Sequence, residues 1–274
     1  MKLLLALFVF LGISARSQDS LSKWILVRTY ALDSDAIWNA DILENVYVVH
    51  NRMITKYDSS GTKKFSQSIK SIGEVKEIMP INTMKLMLFS EEQQVLCLMD
   101  NTLTMSEELI DLSEYGITSA TLATTSSQPE KIWVLEQLNS RLLLLDLSGK
   151  MQFQEVKNLK GIINLSEING MIELNNHLFL IGRGVFYEFD RYGTLLNMIE
   201  LSHFNESNVV CVPSEERIFC VRKNELSVLD ISDGKKMSSI MLPMDEILEF
   251  KKIGNIYYFR TADKILKYVF KNVR

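Results

Sequence analysis

The chain is poor in the residues that bend a backbone. It has 4 prolines and 12 glycines in 274 residues. A fold with many turns must therefore build them from Asn, Asp and Ser. It has no basic run and a formal net charge of -4, which gives no support to nucleic-acid binding. It has three histidines, His50, His177 and His203, and no H-E-x-x-H, C-x-x-C or G-x-S-x-G motif. No apolar run approaches the roughly 20 residues of a membrane-crossing helix. An apolar period of 3.6 is also missing, which argues against helical repeats.

What is there is repetition. The stretch 45–61 reads as a strand, a short polar turn, a second strand and an Asp-x-x-Gly turn, and further versions follow. The large residue at the third position of each first strand is Tyr47, Met87, Trp133, Phe179, Phe219 and Tyr257, in steps of 40, 46, 46, 40 and 38. The strand-ending aspartates Asp58, Asp100, Asp146, Asp190 and Asp230 keep the same beat, in steps of 42, 46, 44 and 40. Strand-only repeats of this period, about four strands each, are those of a β-propeller.

The expected fold is all-β, a six-bladed β-propeller. Blades run 38–70, 75–113, 117–159, 168–202 and 207–243, and the last combines 246–270 with 24–32. That last repeat leaves no room for a fourth strand before Arg274, whereas Trp24 to Leu32 is a strand without a neighbour. Joining the two closes the ring and removes exposed sheet edges.

Residues 1–17 read as a signal peptide. Lys2 is the positive start, Leu3 to Ile13 the apolar core, and Ala15-Arg16-Ser17 a small-x-small cleavage site. The expected domain organisation is this leader followed by one propeller over 18–274, with no transmembrane segment in the mature chain.

The Asp-x-x-Gly turns offer a carboxylate to backbone N–H groups and a glycine for positive φ, and carry too few oxygens for calcium. The turns between the two marker strands are more promising, because equivalent loops gather on one propeller face. Arg52, Gln94, Asn139, Arg183, Arg222 and Lys223 are the binding candidates there. The aromatic stripe reads as packing between blades, with Trp24 and Trp38 as possible sugar platforms if exposed. Of the three cysteines, Cys211 and Cys220 lie across a hairpin. Facing Cα atoms make a strained bridge, so buried free thiols are expected, with a bond between these two left open. The acidic pairs Glu107-Glu108 and Glu215-Glu216 read as solvated, and Asn164-Leu165-Ser166 and Asn205-Glu206-Ser207 match a glycosylation pattern. No catalytic residue, metal ligand or cofactor is expected.

The strand–Asp-x-x-Gly units ending at Asp58, Asp146, Asp190 and Asp230 resemble those of exported bacterial β-propeller proteins of the NHL, YVTN and quinoprotein-like type. Runs such as Met84 to Phe89 and Ile132 to Asn139 resemble a poorly characterised family of these. The resemblance covers nearly the whole chain after residue 17. It implies fold and an exported compartment, periplasmic or extracellular. WD40 Gly-His and Trp-Asp pairs, kelch double glycines and quinone-docking tryptophans are missing. The expected function is a non-catalytic scaffold or protein-interaction module of the cell envelope, monomeric alone, with an envelope or outer-membrane protein as partner. The alternative is a carbohydrate- or peptide-binding protein, or a hydrolase or lyase, with a site in the central channel.

Overall fold

The computed structural model describes residues 23–271, except 107, 108, 202, 205, 207, 208 and 215. The leader at 1–17, the pair Glu107-Glu108, Glu215 and most of the Asn205-Glu206-Ser207 motif therefore lie outside the described residues. Every blade is an antiparallel four-stranded sheet, and there is no α-helix among the described residues. The chain opens with β1 (Lys23–Ala31). Blade 1 is β2 (Ile37–Ala40), β3 (Val46–His50), β4 (Met53–Tyr57) and β5 (Lys63–Ser68). Blade 2 is β6 (Glu77–Pro80), β7 (Lys85–Ser90), β8 (Val95–Asp100) and β9 (Ile110–Asp111). Blade 3 is β10 (Leu122–Thr125), β11 (Lys131–Glu136), β12 (Arg141–Asp146) and β13 (Met151–Val156).

Blade 4 is β14 (Ile168–Leu174), β15 (His177–Gly182), β16 (Val185–Phe189) and β17 (Leu195–Glu200). Blade 5 is β18 (Val209–Ser214), β19 (Arg217–Arg222), β20 (Glu225–Asp230) and β21 (Lys236–Met241). Blade 6 is β22 (Glu249–Ile253), β23 (Ile256–Arg260) and β24 (Lys264–Lys271), with β1 as its fourth strand. The expected closure is thus observed, with Trp24 opposite Phe270 and Tyr30 opposite Ile265.

The middle strands are apolar without alternation because both of their faces are buried. Along β7, Leu86 and Leu88 pack toward blade 1 while Met87 and Phe89 pack toward blade 3. Six such clusters fill the six seams between neighbouring blades. Full burial of one such side chain contributes about 1.5–3 kcal/mol. The aromatic stripe lies in these seams: Trp133 is 0% exposed and Tyr47 3%. Trp38 is buried too, and Trp24 is ringed by Tyr257, Phe259, Tyr268 and Phe270 with its indole N–H on the Met241 carbonyl at 2.8 Å. Neither is a sugar platform.

A second repeat is visible only in three dimensions. An apolar residue just after each outer strand donates its N–H to the carbonyl at the turn between the second and third strands. The pairs are Leu32 to Asp263, Ile69 to Arg52, Leu112 to Gln94, Leu159 to Ser140, Leu201 to Gly184 and Leu242 to Asn224, at 2.7–3.0 Å. All six donors' side chains are buried. The Asp turns behave as expected: Asp58 Oδ1 accepts from Ser60 N and Thr62 N, and Asp190 Oδ1 from Tyr192 N and Thr194 N, all at 2.8–2.9 Å. Gly193 has φ +75°, and a Cβ there would collide with Val156 of blade 3.

The cysteine expectation is corrected. Cys211 and Cys220 are directly opposed in β18 and β19 and form a disulfide with Cα atoms 4.1 Å apart. The register, which the sequence does not reveal, brings them together. Cys97 is free and buried, and burial pushes its thiol up to about 11.

Long cations bind neighbouring blades on the face that carries the Asp turns. Lys267, 1% exposed, reaches from blade 6 to the Ser59 carbonyl of blade 1 at 3.1 Å and to Glu44 at 2.6 Å. Lys56 reaches from blade 1 to the Asn101 carbonyl of blade 2 at 2.8 Å. Removing the buried Lys267 side chain empties space at the closing seam and breaks its bonds to the Ser59 carbonyl and to Glu44. The substitution Lys267→Ala should lower the unfolding free energy by about 2–4 kcal/mol. Lys264→Ala, at an exposed pair with Asp263, should change it by less than about 0.5 kcal/mol. Urea unfolding followed by tryptophan fluorescence measures both, and equal effects would remove the clasp from the account.

Candidate functional site

An antiparallel four-stranded blade has two ends. Turns between second and third strands share one end with the connections that enter the next blade. This loop face carries all six candidates, one blade after another: Arg52 on blade 1, Gln94 on blade 2, Asn139 on blade 3, Arg183 on blade 4, and Arg222 and Lys223 on blade 5.

Their local geometry separates them. Arg52 and Gln94 sit at φ +56° and Lys223 at +54°, left-handed positions within the turns between second and third strands. Gln94 is committed to the fold. Its Nε2 donates to Glu91 O at 2.7 Å and Ala120 O at 2.9 Å, and its Oε1 accepts from Ala120 N at 2.7 Å. It clamps blade 2 to the entry of blade 3. Gln137, which the sequence does not single out, does the same for blade 4 through Leu165 O and Ile168 O, both at 3.0 Å. Asn139 hydrogen-bonds Glu136. Arg52 has no side-chain partner among the described residues.

Arg183 borders a concavity of about 620 Å³ with Ser166, Glu167, Ile168 and Asn169. Arg222 and Lys223 border a second of about 340 Å³ with Glu206, Asn224, Glu225 and Met241. Only Arg222 and Lys223 share a concavity, while Arg52, Gln94 and Asn139 line neither. Arg222 lies 3.7 Å from Glu206, a loose exposed pair that leaves its guanidinium largely uncommitted. Arg183 makes no ion pair among the described residues. The cations of this face that border a concavity are therefore those of blades 4 and 5, while Arg52 on blade 1 borders neither.

The inner strands hold another polar row. Each presents a free edge to the central channel. Lys251 on β22 donates to the Trp38 carbonyl of β2 at 3.1 Å, Asn39 on β2 donates to the Ile78 carbonyl of β6 at 2.5 Å, and Glu77 on β6 accepts the Ala123 N–H of β10. Blades 6, 1, 2 and 3 are stitched in sequence this way. Burial, the largest influence on both ionisable members, raises Glu77 to about 8 and lowers Lys251 to about 8. A Lys and a Glu at these positions carry no sequence pattern, which is why neither stands out before the strands are placed.

Glu136, 0% exposed, anchors the entry of blade 3. It accepts from Thr118 N at 3.0 Å, Ser119 N at 3.1 Å and Arg141 Nε at 2.8 Å. Burial alone would raise it, but these donors outweigh burial and hold the carboxyl down to about 2. A depressed carboxyl stabilises the fold above its ordinary value of 4.5, and that contribution fades as pH falls toward 2. Thermal melts at pH 5 and pH 2.5 should show the wild type losing up to about 2 kcal/mol more than Glu136→Gln across that interval. Equal losses would contradict the assignment.

No protein-family model matches the chain, and no curated protein matches it. Solved structures do match. The chain is similar to a streptogramin B lyase structure with TM-score 0.63 and 12% identity, over 93% of this chain and 100% of that one. It is similar to selenomethionine-substituted virginiamycin B lyase from Staphylococcus aureus with TM-score 0.61 and 11% identity, over 90% and 99%. BamB from Moraxella catarrhalis aligns with TM-score 0.48 and 12% identity, over 85% and 68%. At these identities the likeness concerns the fold alone, a β-propeller.

Proposed function

We propose that this protein is an exported, non-catalytic propeller that serves as a protein-interaction or scaffold module of the bacterial cell envelope. Its mature region is one domain, 18–274, made by removal of the leader 1–17. The partner is an envelope or outer-membrane protein, and the chain is monomeric without it. The observation that carries this reading is the loop face of blades 4 and 5. Two neighbouring open concavities there are edged by Arg183 and by Arg222 and Lys223, with little intramolecular demand on those charges. A rigid ring that offers cations on exposed turns suits recognition of an acidic partner surface. The Cys211–Cys220 bond supports export, since such bonds persist in oxidising compartments.

The second reading is a small-molecule site, binding or hydrolase/lyase, in the central channel. Glu77 and Lys251, half-buried on inner strands and both shifted by burial, favour it, because perturbed ionisable groups cluster at functional sites.

The test is affinity capture from solubilised envelopes with tagged wild type and the Arg183→Glu, Arg222→Glu double variant. The proposal expects a stoichiometric envelope protein on the wild type and at least tenfold less on the variant. A lone monomer from the wild type, or equal recovery on both, would overturn it.

A further inference from the structure

The face that carries the Asp turns is not the same all round the ring. The turn joining the inner strand of each blade to its second strand also lies on this face. On blades 3 to 6 these turns are polar, with Gln128, Asn176, Glu216 and Asn255 among their residues. On blades 1 and 2 they end in bare apolar side chains. Ile42 is 73% exposed, Leu43 53% and Met84 59%.

Built turns hold these tips out. The buried Asp41 carboxylate accepts from Leu43 N and Asn45 N at 2.9 Å, and from Asn45 Nδ2 and Tyr47 Oη at 2.8 Å. On blade 2, Asn82 Oδ1 accepts from Met84 N at 2.8 Å and Lys85 N at 2.9 Å. One run of contacts joins the two turns. The Lys56 ammonium lies 5.5 Å from the centre of the Tyr47 ring and donates to the Asn101 carbonyl at 2.8 Å, and Asn101 Nδ2 lies 3.4 Å from Met84 Sδ. The tips therefore belong to one surface across the seam of blades 1 and 2. Turns fixed in advance leave little ordering cost when the tips are covered.

Three observations select a lipid surface as what covers them. The first is where the chain enters the domain. Strand β1 starts at Lys23 beside Lys271, on this same face. The apolar run of the leader ends at Ile13, and the ten steps from Ile13 to Lys23 can span at most about 35 Å. A leader in the export membrane thus tethers this face, and not the loop face, toward the bilayer. The second is charge. Neighbouring charges are paired within the protein, Glu44 with Lys267 at 2.6 Å, Asp58 with Lys64 at 3.1 Å and Lys85 with Glu130 at 3.9 Å, which leaves selection to the apolar side chains. The third is shape. The tips are knobs, and the concavities bordered by Arg183 and by Arg222 lie on the opposite face. Knobs enter fluid hydrocarbon without needing a matching hole.

We propose that Ile42, Leu43 and Met84 form a membrane-resting patch that seats the Asp-turn face in the interface of a lipid bilayer. Shallow insertion of a few apolar side chains gives reversible binding. It leaves Arg183, Arg222 and Lys223 on the side away from the lipid, open to a partner. The patch rests on the export part of the function proposed above and not on the partner, so its test contains only lipid and this protein.

The mature protein is mixed with phosphatidylcholine vesicles, and the bound fraction is read by sedimentation. The variant Ile42→Ser, Leu43→Ser, Met84→Ser should bind at least tenfold more weakly. Leu138→Ser, which removes an equally exposed tip from the loop face, should bind like the wild type. Raising salt from about 0.05 M to about 0.5 M should change wild-type binding less than about twofold. The tryptophan introduced by Leu43→Trp should shift its emission to shorter wavelength on vesicles. Absence of wild-type binding, equal binding by the triple variant, or loss of binding in salt would overturn the proposal. So would a triple variant that still binds vesicles but no longer captures an envelope protein, which would give the tips to a protein partner. Vesicle binding as expected with no captured partner would overturn the partner reading alone.

Discussion

A ring of sheets must close on itself, and here closure rests on the pairing of β1 with β24. The last blade has three strands of its own, and its outer strand comes from the other end of the domain. Until β1 docks, β24 has an open edge, and the seam between blades 6 and 1 lacks Tyr30 and Leu32. Residues more than 200 positions apart are joined there by Lys251 to Trp38, Lys267 to Ser59 and Arg260 to Ser34. The entropy of closing so long a loop is met once, by one seam, on behalf of the whole domain.

Among the described residues that seam is also the least satisfied. Tyr30 Oη, Trp38 Nε1, Tyr258 Oη and Arg260 Nε are buried there without hydrogen-bond partners among those residues. Each such group costs about 1–3 kcal/mol. Lysines and an arginine laid across the joint offset part of this cost. Elsewhere the ring relies on Lys56 between blades 1 and 2, on the amide clamps of Gln94 and Gln137, and on apolar seams as complete as the one around Trp133. Free inner edges line the channel, so polar side chains must satisfy them, and this requirement draws Glu77 and Lys251 inward.

The fold was legible because its physics is periodic. Middle strands buried on both faces demand unbroken apolar runs, and turns at fixed radius demand an Asp at fixed spacing, so Tyr47 through Tyr257 and Asp58 through Asp230 announce the blades. The missing partner of Trp24 to Leu32 announced the closure. The six buried residues from Leu32 to Leu242 keep the same beat, but Leu and Ile are too common for the pattern to stand out. The site was much less legible. Loop position identified Arg183 and Arg222 as exposed turn cations, yet the same rule selected Gln94, whose amide is consumed by Ala120. Glu77 and Lys251 acquire meaning only from strands contributed by different blades, and the Cys211–Cys220 bond only from register.

The most direct test of closure is hydrogen–deuterium exchange on the intact domain and on a form lacking residues 23–31. In the intact protein the amides of β24 should be as protected as those of β11 and β12. In the shortened form exchange should rise first in blade 6 and at the edge of blade 1, leaving blades 3 and 4 protected until the whole ring opens. A shortened protein with β24 as protected as before would contradict the account, since the seam would then hold without the strand proposed to close it.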